Sequence, residues 1–354
     1  MKRITGILLL LGLAVGASAQ EHKFSLKDCV KHLDLGVTLN TAGIGIDAAV
    51  PVGDYVRLRT GVSYMPKFNL KSSFPVQFNN MEKTSDRMRR IQDMMYDLAG
   101  CRIGDAVDMN MQPTWFNFKM LVDVMPIPNN KHWHATLGFY LGPSKIGEAF
   151  NVTEDAPTLI AASMFNHIYM KSYMGESLVR YEDGNGKILT ADLPAEFRDQ
   201  FAQMGMVGMP LGKFDDGDQA IMLPDENSMA KATMEVNNFR PYLGIGYNTA
   251  ISKDERFKLS VDLGVMFWGG APHVYVGNVY KTNFAKNGYD LVYWDDEALD
   301  EEGMPGAFVY TEPQTIDLTR DVSNIDGKVG DMVKIVKKFK CYPMLGVTLS
   351  YSIF

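Results

Sequence analysis

Apolar residues alternate with small or polar residues in eight separate segments of this chain. Leu33, Leu35, Val37 and Leu39 alternate with Asp34, Gly36 and Thr38, and Ile44, Ile46, Ala48 and Val50 alternate with Gly45, Asp47 and Ala49. The apolar phase slips from odd to even between them, which points to a tight turn at Asn40-Thr41-Ala42-Gly43, the alternative being one long strand with a bulge there. Val56, Leu58, Val62 and Tyr64 oppose Arg57, Arg59, Gly61 and Ser63, and Phe116, Phe118, Met120, Val122 and Val124 oppose Asn117, Lys119 and Asp123. The pattern recurs over 132–142, 239–248, 257–267 and 341–354. A period of two with one greasy and one polar or small face is a strand with different surroundings on its two sides.

The connections fall into two kinds. Residues 51–54, 126–131 and 251–256 are short and turn-like, whereas 67–114, 143–238 and 269–340 are long. Short turns on one side and long loops on the other characterise outer-membrane barrels, and eight is an even count that closes. The expected fold is all-β: an eight-stranded antiparallel transmembrane β-barrel with long, partly helical extracellular loops. Helices are expected over Lys83–Ala99, capped by Thr84 or Ser85, and over Leu193–Met204, with Pro194 in its first turn.

The amino-terminal end fits such a destination. Lys2 and Arg3 precede an apolar run from Ile4 to Val15, and Ala17-Ser18-Ala19 precedes Gln20. This reads as a signal peptide over 1–19, leaving 20–354 as the barrel domain with its three external insertions. A formal net charge of −7 argues against nucleic acid as a partner. Three cysteines leave at least one unpaired within the chain; Cys101 and Cys341 both fall on the expected outer side, but their spacing does not argue for a bond.

Three blocks carry a resemblance: Arg240–Asn248 (RPYLGIGYN), Val265–Tyr275 (VMFWGGAPHVY) and Cys341–Phe354 (CYPMLGVTLSYSIF). On these the chain resembles the outer-membrane β-barrel proteins of Bacteroidota-type bacteria, similar in shape to small OmpA-type barrels. The resemblance implies location in the bacterial outer membrane, contact with its lipid and lipopolysaccharide, and insertion by the barrel-assembly machinery through an end signal at Tyr351, Ile353 and Phe354. Phe354 departs from the usual pattern, being out of phase with Ile353, Tyr351 and Leu349.

If the apolar faces meet lipid, the interior holds Asp34, Asp47, Asp123 and Asp262 with Arg57, Arg59, Lys119, Arg240 and Lys258. An eight-stranded barrel has an interior just wide enough for side chains, so these charges read as a paired plug, with an ion path or proton relay as the alternative. Other candidates are weaker. His132 and His134 share a face but have no further ligand nearby. Asp215-Asp216-Gly217-Asp218, Glu182–Gly186 and Asp295-Asp296-Glu297 lack the spacing of a calcium loop and read as solvated turns. Met109, Met111, Met204, Met206 and Met209 read as loop packing. His167 and His273 lie in outer loops with no partner placed by the sequence. No catalytic residue, metal site or cofactor is assigned. The expected role is a non-enzymatic barrel with a charge-plugged lumen, whose acidic outer loops, with aromatics such as Tyr293, Trp294 and Phe308, meet an unknown extracellular ligand or membrane partner. The alternatives are a small-solute channel and an outer-membrane enzyme acting on lipid or peptide.

Overall fold

The structure, a computed structural model, describes residues 32–78, 85–100, 103–127, 129–182, 187–192, 194–195, 207–225, 227–282, 292–299, 303–325 and 327–353. The segment 1–19, Cys101, the calcium-loop candidate 183–186, Met204, Met206 and Phe354 lie outside the described residues, as does nearly all of the helix expected over Leu193–Met204.

Eight strands close into an antiparallel barrel in sequence order: β1 (Asp34–Asn40), β2 (Gly43–Pro51), β3 (Val56–Tyr64), β4 (Phe116–Val124), β5 (Trp133–Leu141), β6 (Phe239–Ala250), β7 (Phe257–Phe267) and β8 (Cys341–Ser352). These are the eight alternating segments, each shifted by a few residues at most. Pairing of β1 with β8, from Asp34 opposite Ser352 to Asn40 opposite Gly346, leaves no free edge. The phase slip is a two-residue turn, since Asn40 pairs with Gly43. Gly43 adopts φ +113°, and a Cβ there would overlap the Tyr64 carbonyl, so the turn requires glycine.

Most outward residues of the strands are apolar and exposed, among them Val37, Ile46, Leu137, Ile245, Leu263 and Leu345, while on β3 Val56, Leu58 and Val62 are partly exposed. A continuous apolar belt of this kind is stable only against another apolar phase.

The three long insertions build something the alternation did not reveal. Together they form one antiparallel sheet of nine strands among the described residues, in the order 70–75, 106–113, 145–151, 231–235, 273–282, 219–222, 207–213 and 77–78, with 314–317 on the other side of 273–282. Short links join four of these strands to β4, β5, β6 and β7, so the sheet stands over one end of the barrel as a cap. Helix α1 (Ser85–Ala99) forms where a helix was expected. Two helices were not anticipated. Helix α2 (Ala156–Met174) carries Pro157 in its first turn and is capped by Gly175 at φ 70°, the left-handed conformation that glycine favours. Helix α3 (Gly327–Lys338) carries Lys337 and Lys338 in its last turn, where cations complement the helix dipole.

The cap has its own core, with Phe74, Val107, Leu211, Val276, Ile316 and Val333 from all three insertions buried together. Asn166 pins α2 to the sheet: its Nδ2 donates to the Val207 carbonyl and its Oδ1 accepts from the Val207 N–H, both at 2.9 Å.

Candidate functional site

Two regions concentrate chemistry: the barrel lumen and a cavity in the cap.

In the lumen, the inward phase of each strand places charged side chains in a space too narrow for bulk water. Arg59 is the bridge. Its Nη1 and Nη2 donate to Asp262 Oδ2 and Oδ1 at 2.9 Å each, and its Nη2 also donates to Asp123 Oδ1 at 3.0 Å. Arg57 holds the other oxygen of Asp123, from Nη2 at 2.8 Å and Nε at 3.0 Å. Thr136 donates to Asp123 Oδ1 at 2.8 Å, while His134 Nε2 lies 3.0 Å from Asp262 Oδ1. Lys119 sits 2.7 Å from Asp47 Oδ1 and donates to Oδ2 at 2.8 Å, and Thr38 donates to the same Oδ2 at 2.6 Å. At the turn end Lys258 forks onto both oxygens of Asp34 at 3.0 Å, and Ser352 donates to Oδ1. Gly246 makes room: a Cβ there would overlap both His134 and Asp262.

Arg240 stands apart from the paired set in which the sequence put it. It is 1% exposed. Its guanidinium donates to Asn117 Oδ1 at 2.6 Å, the Asn237 carbonyl at 2.7 Å and the Pro143 carbonyl at 2.5 Å. Among the described residues no carboxylate pairs with it. The reason is position. Arg240 lies at the cap end of β6, where the chain leaves the barrel ladder and backbone carbonyls need donors.

Above the ion pairs the lumen turns aromatic. Tyr140 and Tyr242 meet edge to face at 5.5 Å. Trp268 stacks on Tyr342 at 5.5 Å, and Trp115 meets Tyr342 edge-on at 4.6 Å. The void left between Arg59, Lys119, Tyr140 and Tyr242 is about 20 Å³, space for a water and not for a file of ions.

The cap cavity is of a different kind. It holds about 420 Å³ between one face of the cap sheet, α3 and the aromatic lid of the barrel. Helix α3 turns Val329, Met332, Val333 and Val336 toward it, the spacing of one helical face. Trp115, Trp268 and Tyr342 form its floor, and seven methionines line it: Met65, Met109, Met111, Met209, Met222, Met234 and Met332. Polar wall groups are few. Glu148 is the one acid, and it is engaged by Lys145 at 2.5 Å. The indole Nε1 of Trp268 is buried without a partner among the described residues. Sequence reading took Met109, Met111 and Met209 as packing and missed the cavity. The available signal was the alternation of Val107, Met109 and Met111, a strand pattern lying inside a presumed loop.

The remaining candidates are scattered. His132 Nδ1 lies 2.8 Å from the Asn248 carbonyl and its ring stacks on Tyr247, whereas His134 belongs to the lumen. His167 is exposed on α2. His273 Nδ1 lies 2.6 Å from Asp317 Oδ2. Burial would raise the Asp317 carboxyl, but hydrogen bonds from Thr319, His273 and the Val274 N–H outweigh it and hold the group below its ordinary value. The 215–218 acids form a turn in which Asp216 is bound by Lys281, and that hydrogen bond lowers the Asp216 carboxyl. Among the described residues no group of three His, Cys, Asp or Glu gathers to hold a metal. Among the described residues Cys341 has no disulfide partner, and Cys101 lies outside them. The side chains of Tyr293, Trp294, Phe308 and the 295–297 acids are outside the described set. Tyr351 faces outward, accepts from Arg256 Nη1 at 3.2 Å and packs on Phe257; the Ile353 N–H donates to the Leu33 carbonyl at 3.0 Å.

No protein-family model matches the chain, and no curated protein matches it. Among solved structures, Acinetobacter baumannii CarO2 is similar at 11% identity and a TM-score of 0.36, over 91% of this chain and 98% of that one. CarO of the same organism is 11% identical with a TM-score of 0.35, over 92% and 99%. A major outer membrane protein from Thermus thermophilus is 11% identical with a TM-score of 0.25, over 90% and 98%. At these scores the likenesses add nothing to the barrel that strand pairing already establishes.

Proposed function

We propose that this chain is a non-conducting, non-enzymatic barrel of the bacterial outer membrane that holds a folded binding cap outside the cell. Placement in an outer membrane is supported by the closed barrel, its exposed apolar belt and the signal-like amino-terminal sequence. On this reading the belt contacts outer-membrane lipid, and the cap sits at the level of lipopolysaccharide and beyond. Tyr351, Ile353 and Phe354 serve recognition by the barrel-assembly machinery.

One observation carries the non-conducting part. Arg59 spans the lumen between Asp123 and Asp262, and the void beside it, lined also by Lys119, Tyr140 and Tyr242, is about 20 Å³. A small-solute channel needs a connected wet path, and paired charges at hydrogen-bond distance leave none. With the lumen committed to neutralising itself, the cap is the part free to carry specificity.

Planar-bilayer recording tests this. The purified protein is expected to show no steady current, and the doubly truncated Arg59→Ala, Asp262→Ala protein to pass small ions. A stable, ion-selective current from the unaltered protein would establish a channel instead.

A further inference from the structure

The geometry points to the cap cavity as a binding site for an anionic single-chain amphiphile, one acyl chain with a carboxylate or comparable small anionic head. This rests on the membrane placement of the proposed function but not on the plug, because the cavity lies above the aromatic layer and is separate from the ion pairs.

Three features select the chain. A cavity of about 420 Å³ falls in the range of small-molecule sites, and its wall offers almost nothing to a sugar, nucleotide or peptide. Seven of its wall residues are methionine, whose unbranched, polarisable side chains adapt to a flexible apolar guest better than branched ones do. The third feature is position. The floor, Trp115, Trp268 and Tyr342, lies at the cap-end rim of the barrel. Two wall residues just beyond that rim, Phe68 and Leu70, are 48% and 54% exposed and so mark where the wall meets solvent. A mouth at the rim of a membrane barrel is at the height where amphiphiles are available from the bilayer surface.

The same short segment supplies the head-group chemistry. Lys67-Phe68-Asn69-Leu70-Lys71 flanks the two apolar mouth residues with two exposed lysines. An ammonium beside an apolar opening suits an anion attached to a hydrophobic tail. Two charged pairs near the wall are already engaged: Glu148 is held by Lys145, and on α3 Lys334 lies 3.5 Å from Asp331. Lys328 donates to the Ser73 carbonyl at 3.0 Å, tying the helix to the strand that follows the mouth.

Four tryptophans occur in the chain, and two of them, Trp115 and Trp268, form the cavity floor. This permits a direct assay with the full-length protein in lipid nanodiscs, carrying Trp133→Phe and Trp294→Phe to leave only the floor indoles. The probes are dibrominated stearate and its uncharged methyl ester, whose bromines quench tryptophan on contact. Stearate is expected to quench saturably and to be displaced by unbrominated stearate. Filling the cavity with Ala232→Phe should weaken it about tenfold, with gel mobility on heating confirming an assembled barrel. Lys67→Glu with Lys71→Glu, which alters only the exposed mouth, should weaken the acid about threefold and leave the ester unchanged. Quenching that rises without saturation and is equal in Ala232→Phe would overturn the site. Saturable binding of acid and ester alike, untouched by the lysine changes, would overturn the anionic head.

Discussion

Replacing Arg59 by methionine tests whether the lumen network acts as a unit. The substitution keeps bulk and removes a guanidinium whose side chain is only 6% exposed. Two carboxylates lose a partner. Asp123 keeps Arg57 and Thr136, and Asp262 keeps His134 and Ser260, so neither is left bare. Because each carboxylate retains donors, we assign the cost of one broken buried pair, about 3–5 kcal/mol, rather than two. Asp262→Leu alone should cost a similar amount by leaving Arg59 half-paired. In the double variant the Asp262 charge no longer needs compensation, and the total should fall short of the sum by about 1–3 kcal/mol. Urea unfolding in thin phosphatidylcholine vesicles, followed by tryptophan fluorescence and by heat-dependent gel mobility, gives each free energy. Additivity of the two changes to within about 0.5 kcal/mol would refute the coupling, and with it the view of the interior as one connected network.

Two further expectations concern the cap. Asn166→Ala removes both bonds to Val207, leaving a buried N–H and carbonyl unpaired at about 1–3 kcal/mol each, so hydrogen exchange should quicken around α2 while barrel mobility on gels stays unchanged; unchanged exchange would mean Asn166 does not hold the helix. The depressed Asp317 carboxyl stabilises the folded cap above the ordinary value of 3.8, and this contribution is lost as pH falls through the lower folded value. Resistance to pepsin should therefore drop in that acid range, and Asp317→Asn should make the protein weaker at neutral pH and flatten the drop; an identical acid profile in the variant would show that the stabilisation lies elsewhere.

The alternating pattern, together with the lengths of the connections, determined the barrel, its strand number, the break in phase at Asn40–Gly43 and the sharing of one end by the long connections. Each of these follows from a local rule. A strand between lipid and a crowded interior must change polarity at every residue, and a break in phase must be a turn or a bulge. Helix α1 was legible for a similar reason, as a stretch free of glycine and proline. The cap was not. Its strands are short, and 70–75 must pair with 106–113, and 273–282 with 231–235, across large sequence separations that no local period records. Helix α2 is apolar on nearly all sides, so it shows no face, and α3 shows one that a search for period two does not find. Arg240 had the right phase for the ion-pair network, but its height in the barrel, not its phase, decided that it meets carbonyls and not carboxylates. The cavity is the clearest case. Its wall combines residues from all three insertions, each of which alone reads as loop packing, and only the tertiary pairing of those segments encloses a space, because a cavity is a property of how surfaces fail to meet.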